Sequence, residues 1–450
     1  MQTTAVDIDG ADVIVVGGGL AGSEAAWQVA RRGLRVVLFE MRPSLMTPAH
    51  ATGDLGELVC SNSLGSDSLL NAAGVLKEEM RIFGSIIMRC AECSRIPAGS
   101  ALACDRRRFA RLVTAYVERC PNMKLVRREM RGIPEDVPTV IATGPLTSDD
   151  MAAAIAGLAG TEHLYFYDAV APIVTAESCD MSKAFWAARY GRGGKDYLNC
   201  PMTKEEYERF HEALVSARCA PVHGFEDTKV FESCMPVEVL ARRGKEALVY
   251  GPLRPVGLVD PRTGERPYAV VQLRREDEEG TLLNMVGFQT RLAWDEQRRV
   301  FRMIPGLERA HFVRLGVMHR NTYVNSPELL RPTMQCRLRD TLFFAGQLTG
   351  VEGYLESAAS GLVAGVNASR LALGLAPVVF PRETVHGSLC QYITSPHAGG
   401  FQPMNANFGI MPRASGGGRG RAARRAISTR ALNAAKDFEK TLRSGVEQIL

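Results

Sequence analysis

Four consecutive apolar residues, Val13-Ile14-Val15-Val16, begin the readable pattern of the chain. A run so short and so rich in β-branched residues predicts a parallel strand buried on both faces. Gly17-Gly18-Gly19-Leu20-Ala21-Gly22 follows at once. Ser23 to Arg32 then reads as an amphipathic helix ended by Gly33, and Arg35 to Glu40 as a second strand. Strand, glycine turn, helix and strand within about 30 residues has the size of a dinucleotide-binding unit.

Beyond it the pattern loosens. Residues 41–103 read as loop-rich, with one helix near Val75–Phe83. Arg106 to Arg119 predicts a helix, and Met123 to Arg127 and Thr139 to Ala142 predict strands. From about residue 151, aromatics, prolines and charges mix without strand–helix alternation. The first pattern returns at Thr341-Leu342-Phe343-Phe344-Ala345-Gly346, followed by a small-residue helix over Gly361–Leu373. The expectation is an α/β fold. Residues 1–150 and 331–450 form a discontinuous Rossmann-like domain, and 151–330 an inserted α+β domain.

Composition narrows the class. Of 450 residues, 46% are hydrophobic and 23% charged, which excludes a disordered or fibrous chain. The net charge of +5 is mild as an average, but it is unevenly placed. Residues 413–450 hold nine positive and three negative charges, a net of +6, so residues 1–412 sum to −1. A basic segment after a glycine-rich stretch suits a phosphate-contacting arm. The start of the chain has no basic region before its apolar run, and no apolar stretch reads as a membrane span. The expected location is the cytoplasm, with reduced thiols and no membrane partner.

The chemistry begins at Gly17, Gly19 and Gly22, spaced G-x-G-x-x-G between strand and helix. The first permits the turn, the second lets backbone approach a pyrophosphate, and the third lets helix and strand touch. With Gly18, Leu20 and Ala21 they form the expected phosphate loop. Glu40, at the end of the second strand, stands where an acidic residue takes ribose hydroxyls. The loop alone does not separate FAD from NAD or S-adenosylmethionine. A second glycine-rich segment, carrying Gly346, Gln347 and Gly353, suits a longer dinucleotide and favours FAD.

Eleven cysteines are present. Cys60 and Cys234 sit in polar stretches where a neighbouring cation or dipole could create a thiolate. Cys90 and Cys93 form an isolated C-x-x-C, with no second pair at zinc spacing, so no metal site is expected. His319 sits among polar groups, which marks it without assigning it a role.

Several segments together resemble one family, the folate- and FAD-dependent tRNA (uracil-5-)-methyltransferases (TrmFO). They are GGGLAGSEAAW from residue 17, ELVCSNSL from 57, YLNCPMTKEEYERF from 197, FESCMPVEVLARRG from 231, GVMHRNTYVNSPELL from 316, FFAGQLTGVEGYLESAASGLVAG from 343 and FQPMNANFGIMP from 401. The larger FAD-dependent tRNA wobble-uridine enzymes fit less well. Gly18 stands where the family more usually has alanine, at a position expected to be permissive. Residues 51–56 are looser than the family pattern, and Cys90 and Cys93 lie outside it.

The resemblance implies C5-methylation of uridine-54 in the tRNA T-loop. The one-carbon unit would come from 5,10-methylenetetrahydrofolate, and the electrons from FAD recharged by NADH or NADPH. It implies Cys234 as the thiolate that adds to uracil C6, and Cys60 as a base near the flavin. The sequence leaves open the exchange of those two roles. An isolated thiol is only a few per cent thiolate at neutral pH, so a depressed pKa at one of them is implied. Tyr190, Tyr197 and Tyr354 are candidates for base stacking, and Arg95, Arg192, Arg254 and Arg320 for phosphate or folate contacts. Two other readings stay open: the same chemistry on ribosomal RNA, and an FAD-dependent thiol/disulfide oxidoreductase.

Overall fold

The computed structural model describes residues 8, 10–159, 164–169, 171–191, 194–220, 235–316, 318–397, 401–413 and 420–447. Its first layer is a five-stranded parallel sheet. The strand order is Leu342–Phe344, Thr139–Ile141, Val13–Val16, Val36–Phe39, Met123–Val126. Val13–Val16, the apolar run of the sequence, is its fully buried central strand. The edge strand Leu342–Phe344 arrives from the far side of the chain, as the returning pattern predicts.

Helix α1 (Leu20–Ala30) leaves the glycine loop and runs along this sheet. The late helix begins seven residues earlier than its small-residue stretch suggests, spanning Tyr354–Ala372. Gly361 and Gly365 lie on the backbone of α1. A Cβ at either would stand 2.2 Å from Ala21 O or 2.5 Å from Ala25 O. The small residues therefore serve helix–helix contact.

Residues 41–103 are more regular than their polarity suggests. They hold a helix at Ala72–Ile82, a second at Ile86–Cys93, and a small sheet of Ser63–Ser66, Ala101–Cys104 and Arg95–Ile96. Cys90 and Cys93 share the second helix. Cys90 is buried, and burial pushes its thiol up to about 12, while Cys93 faces solvent. A thiol held so strongly neutral is a poor redox partner.

The segment without strand–helix alternation builds a six-stranded antiparallel sheet. Its order is Phe185–Ala187, Tyr197–Met202, Ala269–Arg275, Leu282–Met285, Ile173–Thr175, Phe312–Arg314. It has its own apolar core, around Leu198, Phe210, Val271, Phe288 and Phe301. No described helix is long and apolar enough to cross a membrane.

The basic C-terminal segment is not a free arm. Its helix Arg421–Glu447 buries Ala431, Ala435 and Leu442 against the first layer. Phe438 meets Phe83 and Phe380 edge-on, and Ser428 Oγ donates to Leu69 O. Arg421, Arg424, Arg425 and Lys436 stay exposed.

Candidate active site

The glycine loop is built by close contacts that exclude side chains. Gly17 has φ +103°, and a Cβ there would meet Ala142 O at 2.4 Å. A Cβ at Gly22 would lie 1.7 Å from Gly17 O. Gly19 caps α1 without any side-chain hydrogen bond, and a Cβ there would meet nothing within 4 Å. The amide end of the helix is thus open to an anion. Gly18 is not the permissive position expected of it. A Cβ there would stand 2.4 Å from the Leu55 side chain and 2.9 Å from that of Glu40.

Glu40 does more than end a strand. Its carboxylate accepts from Gly18 N at 2.8 Å, from Arg42 N at 2.9 Å, and from Arg42 Nε and Nη2 at 3.0 and 3.2 Å. Burial opposes its charge, but the bonds and charge of Arg42 and the Gly18 amide outweigh it and hold the carboxyl below its usual range. These four bonds match the roughly four lone-pair positions of a carboxylate. Glu40 therefore fixes the glycine loop to Arg42. Arg42 also reaches Glu57 at 3.4 Å. Glu57 in turn accepts from Ala51 N, Thr52 N and Thr52 Oγ1, which closes the loose-looking stretch 51–56 into a defined turn.

One cleft joins the two glycine-rich segments. It is lined by Gly17, Gly19, Leu20 and Ala21, by Glu40 and Arg42, by Thr143 to Ser148, and by Gly346, Gln347 and Tyr354. Gly346, at φ +79°, approaches Ala21 closely enough that a Cβ would stand 3.0 Å from it. Gly353, at φ +111°, caps the helix that carries Tyr354. Gly22 lies behind the loop and shapes it without facing the cleft.

Cys60 is bound to this cleft through Tyr354. The Tyr354 hydroxyl accepts from Cys60 N at 2.7 Å and from Ser61 N at 3.1 Å, and stands 3.0 Å from Cys60 Sγ. Three arginines hold the same loop. Arg314 Nη1 donates to Val59 O at 2.9 Å. Arg274 donates to Asn62 Oδ1 at 2.9 Å and Ser61 Oγ at 2.8 Å. Arg106 donates to Leu58 O and pairs with Glu276. Burial, and then the neighbouring charge of Arg106, bring the Arg314 guanidinium down to about 10. Arg274, Glu276 and Arg314 all come from the antiparallel sheet or its rim, so this sheet grips the Cys60 loop of the first layer.

The other sequence candidates scatter. Cys234 and Arg192 lie outside the described residues. His319 and Arg320 lie on the strand Met318–Tyr323. Arg95 is exposed and paired with Asp67 at 2.8 Å. Arg254 offers its carbonyl to Arg189. Tyr197 spends its hydroxyl on Ala98 O at 3.1 Å. Tyr190 is 56% exposed, with φ +59°. Sequence reasoning missed Arg42, Arg106, Arg274 and Arg314. Only the first carried a local signal, an arginine two residues beyond the acidic strand end.

The family described as Glucose inhibited division protein A matches residues 12–376. A protein of Moorella thermoacetica is 62% identical over 400 residues, covering 89% of this chain and 92% of its own length. One of Pelotomaculum thermopropionicum is 59% identical over 434 residues, covering 96% and 99%. Both are named methylenetetrahydrofolate--tRNA-(uracil-5-)-methyltransferase TrmFO. Among solved structures, Aquifex aeolicus GidA superposes with TM-scores of 0.71 and 0.72 in two crystal forms. At 19% identity, that likeness covers 97% of this chain and 74% of GidA in one form, 96% and 76% in the other. It shows a shared fold. The chain therefore belongs to the Glucose inhibited division protein A family and, at this level of identity, to its TrmFO members.

Proposed function

We propose that the protein is a methylenetetrahydrofolate- and FAD-dependent tRNA (uracil-5-)-methyltransferase acting in the cytoplasm, with NADH or NADPH as reductant. The observation that carries this reading is the Tyr354 hydroxyl on Cys60, because Tyr354 lines the same cleft as the glycine loop. The residues fit FAD. Gly19 lines the cleft and leaves the backbone bare where a pyrophosphate must approach, and Gly346 and Gln347 extend the cleft beyond the first unit. When bound, the flavin supplies the two electrons that take a one-carbon unit from the formaldehyde level to a methyl group. Residues 1–150 and 331–450 would hold it, and 151–330 would close over the substrate uridine.

In this reading the Cys234 thiolate adds to uracil C6, which makes C5 nucleophilic toward the one-carbon unit. Cys60 then takes the C5 proton as the one-carbon unit's bond to its carrier nitrogen breaks, leaving a methylene on C5; addition of a hydride equivalent to that methylene makes the methyl group, expels the Cys234 thiolate from C6 and restores the ring. Methyl transfer is tested with purified flavin-loaded protein, a tRNA transcript, methylenetetrahydrofolate and NADPH, with 5-methyluridine read by mass spectrometry. Its absence would overturn the proposal, and S-adenosylmethionine alone should yield none. The division of labour is tested with 5-fluorouracil RNA. A covalent adduct should form with Cys60→Ala and be lost with Cys234→Ala; the opposite pattern exchanges the roles.

The C-terminal helix supplies the electrostatic contact with RNA through its exposed side. Deleting it would uncover Phe83 and Phe380, so the sharper test keeps the helix. Arg421→Gln, Arg424→Gln and Arg425→Gln together should weaken tRNA binding at low salt. They should also shallow the log–log salt slope by about 2, given roughly 0.7–0.9 per lost phosphate contact. Flavin reduction should be unaffected, and an unchanged slope removes the helix from the RNA path.

A further inference from the structure

We infer that Tyr354 is a positioning residue for Cys60: its phenol O–H donates to the sulfur and holds it as a thiolate. The inference rests on Cys60 being a reacting thiol, as in the proposed function.

Proton bookkeeping carries it. A tyrosine hydroxyl has one proton to give and two lone pairs to accept with. Both acceptor positions are taken, by Cys60 N at 2.7 Å and Ser61 N at 3.1 Å. The remaining proton has Cys60 Sγ at 3.0 Å. An S–H pointing the other way would be a third donor on an oxygen already saturated. The favourable arrangement is therefore O–H to sulfur, and a sulfur accepts such a bond far better as an anion than as a thiol.

The surroundings agree. Burial pushes the Tyr354 phenol well above 10, so it remains a donor. Among the charged groups facing the loop, Arg106 is offset by Glu276, but the bonds of Arg274 and Arg314 go to neutral groups. The net field there is positive, which favours a thiolate. The tyrosine cannot drift from its post. It opens a helix that Gly361 and Gly365 fasten to the backbone of α1.

The test reads the sulfur directly and needs no tRNA, so its failure is distinct from failure of the methyltransferase reading. Flavin-loaded protein is alkylated with iodoacetamide across roughly pH 5–10, and the Cys60 peptide is followed by mass spectrometry. Tyr354→Phe should raise the midpoint by about one unit, roughly tenfold less thiolate at neutral pH. Replacing Tyr354 with a fluorotyrosine, a stronger donor of the same shape, should lower it. Flavin absorbance and circular dichroism report whether the Phe variant keeps its fold; if it does not, the fluorotyrosine result decides. An unchanged midpoint in a folded Phe variant, or a fluorotyrosine midpoint that stays or rises, overturns the inference.

Discussion

Gly22→Ala is expected to yield a protein that purifies without flavin and melts well below the parent. The added methyl carbon would sit 1.7 Å from Gly17 O and 2.9 Å from Gly17 C, about half the distance that van der Waals contact allows for the first. Relief would require α1 to move away from the central strand. The other side of α1 is already in contact, because Gly361 and Gly365 leave no room against Ala21 and Ala25. A helix trapped between two bare-backbone contacts cannot shift without separating one of them. The cost should reach about 3 kcal/mol, the upper part of the range for overpacking. Gly19→Ala is the control. Its φ of −73° suits any residue, and nothing stands within 4 Å of the new carbon. With flavin removed from both it should melt at the parent temperature, and it should lose only flavin affinity, since Gly19 lines the cleft. The measurement is the ratio of flavin to protein absorbance beside a thermal melt. A Gly22→Ala protein with parental loading and stability would show that the helix can yield.

Those contacts also explain which parts of the molecule the sequence reveals. The strand–turn–helix–strand unit was legible because each of its demands is local. A buried parallel strand needs an apolar run, and a loop against a helix needs glycine at fixed spacing. The antiparallel sheet was not legible as elements. Its strand Ala269–Arg275 is buried almost throughout, so the alternation of polar and apolar faces that marks a half-exposed strand is missing. Gln272 and Arg274 then look like surface residues although both are buried. The helix Ile86–Cys93 escaped because it is short and only Phe83-Gly84-Ser85 separates it from the helix before it. Its Ser85 cap, which accepts from Met88 N, looks in sequence like one more loop residue.

The C-terminal segment shows how one strong signal hides another. Counting charges draws attention to the arginines. The same residues carry Ala431, Ala435, Phe438 and Leu442 at helical spacing, and it is this stripe that docks the helix. For the site the limit is different again. Motifs marked Cys60 and the glycine segments that share one cleft. The arginines that hold the cysteine loop were not marked, since Arg274 reaches Ser61 across 213 residues of chain. No spacing rule covers such a distance.

That long-range grip leads to the second large expected effect. Arg274→Met should lower the methyl-transfer turnover about a hundredfold, the scale of a misplacement near 1 Å at a reacting group. Flavin loading and flavin reduction should stay near the parent. Two opposing terms keep the fold intact. The substitution leaves Asn62 Oδ1 without its donor, a cost of about 1–3 kcal/mol, while Ser61 Oγ still accepts from Ser63 N at 3.1 Å. It also removes a guanidinium whose pKa burial already lowers, which returns part of that cost. Asn62 keeps its own bonds to Cys104 O at 3.1 Å and Arg275 O at 2.9 Å, so the loop loosens without detaching. Cys60 is the residue that pays for the looseness, because its sulfur is placed by the loop and by Tyr354 together. Arg274→Lys should recover part of the rate, since one amine reaches one of the two acceptors but not both. Turnover is read with saturating tRNA beside a thermal melt and a flavin reduction trace. If turnover, melting temperature and flavin content all fall together, Arg274 supports the fold as a whole and not the place of the cysteine.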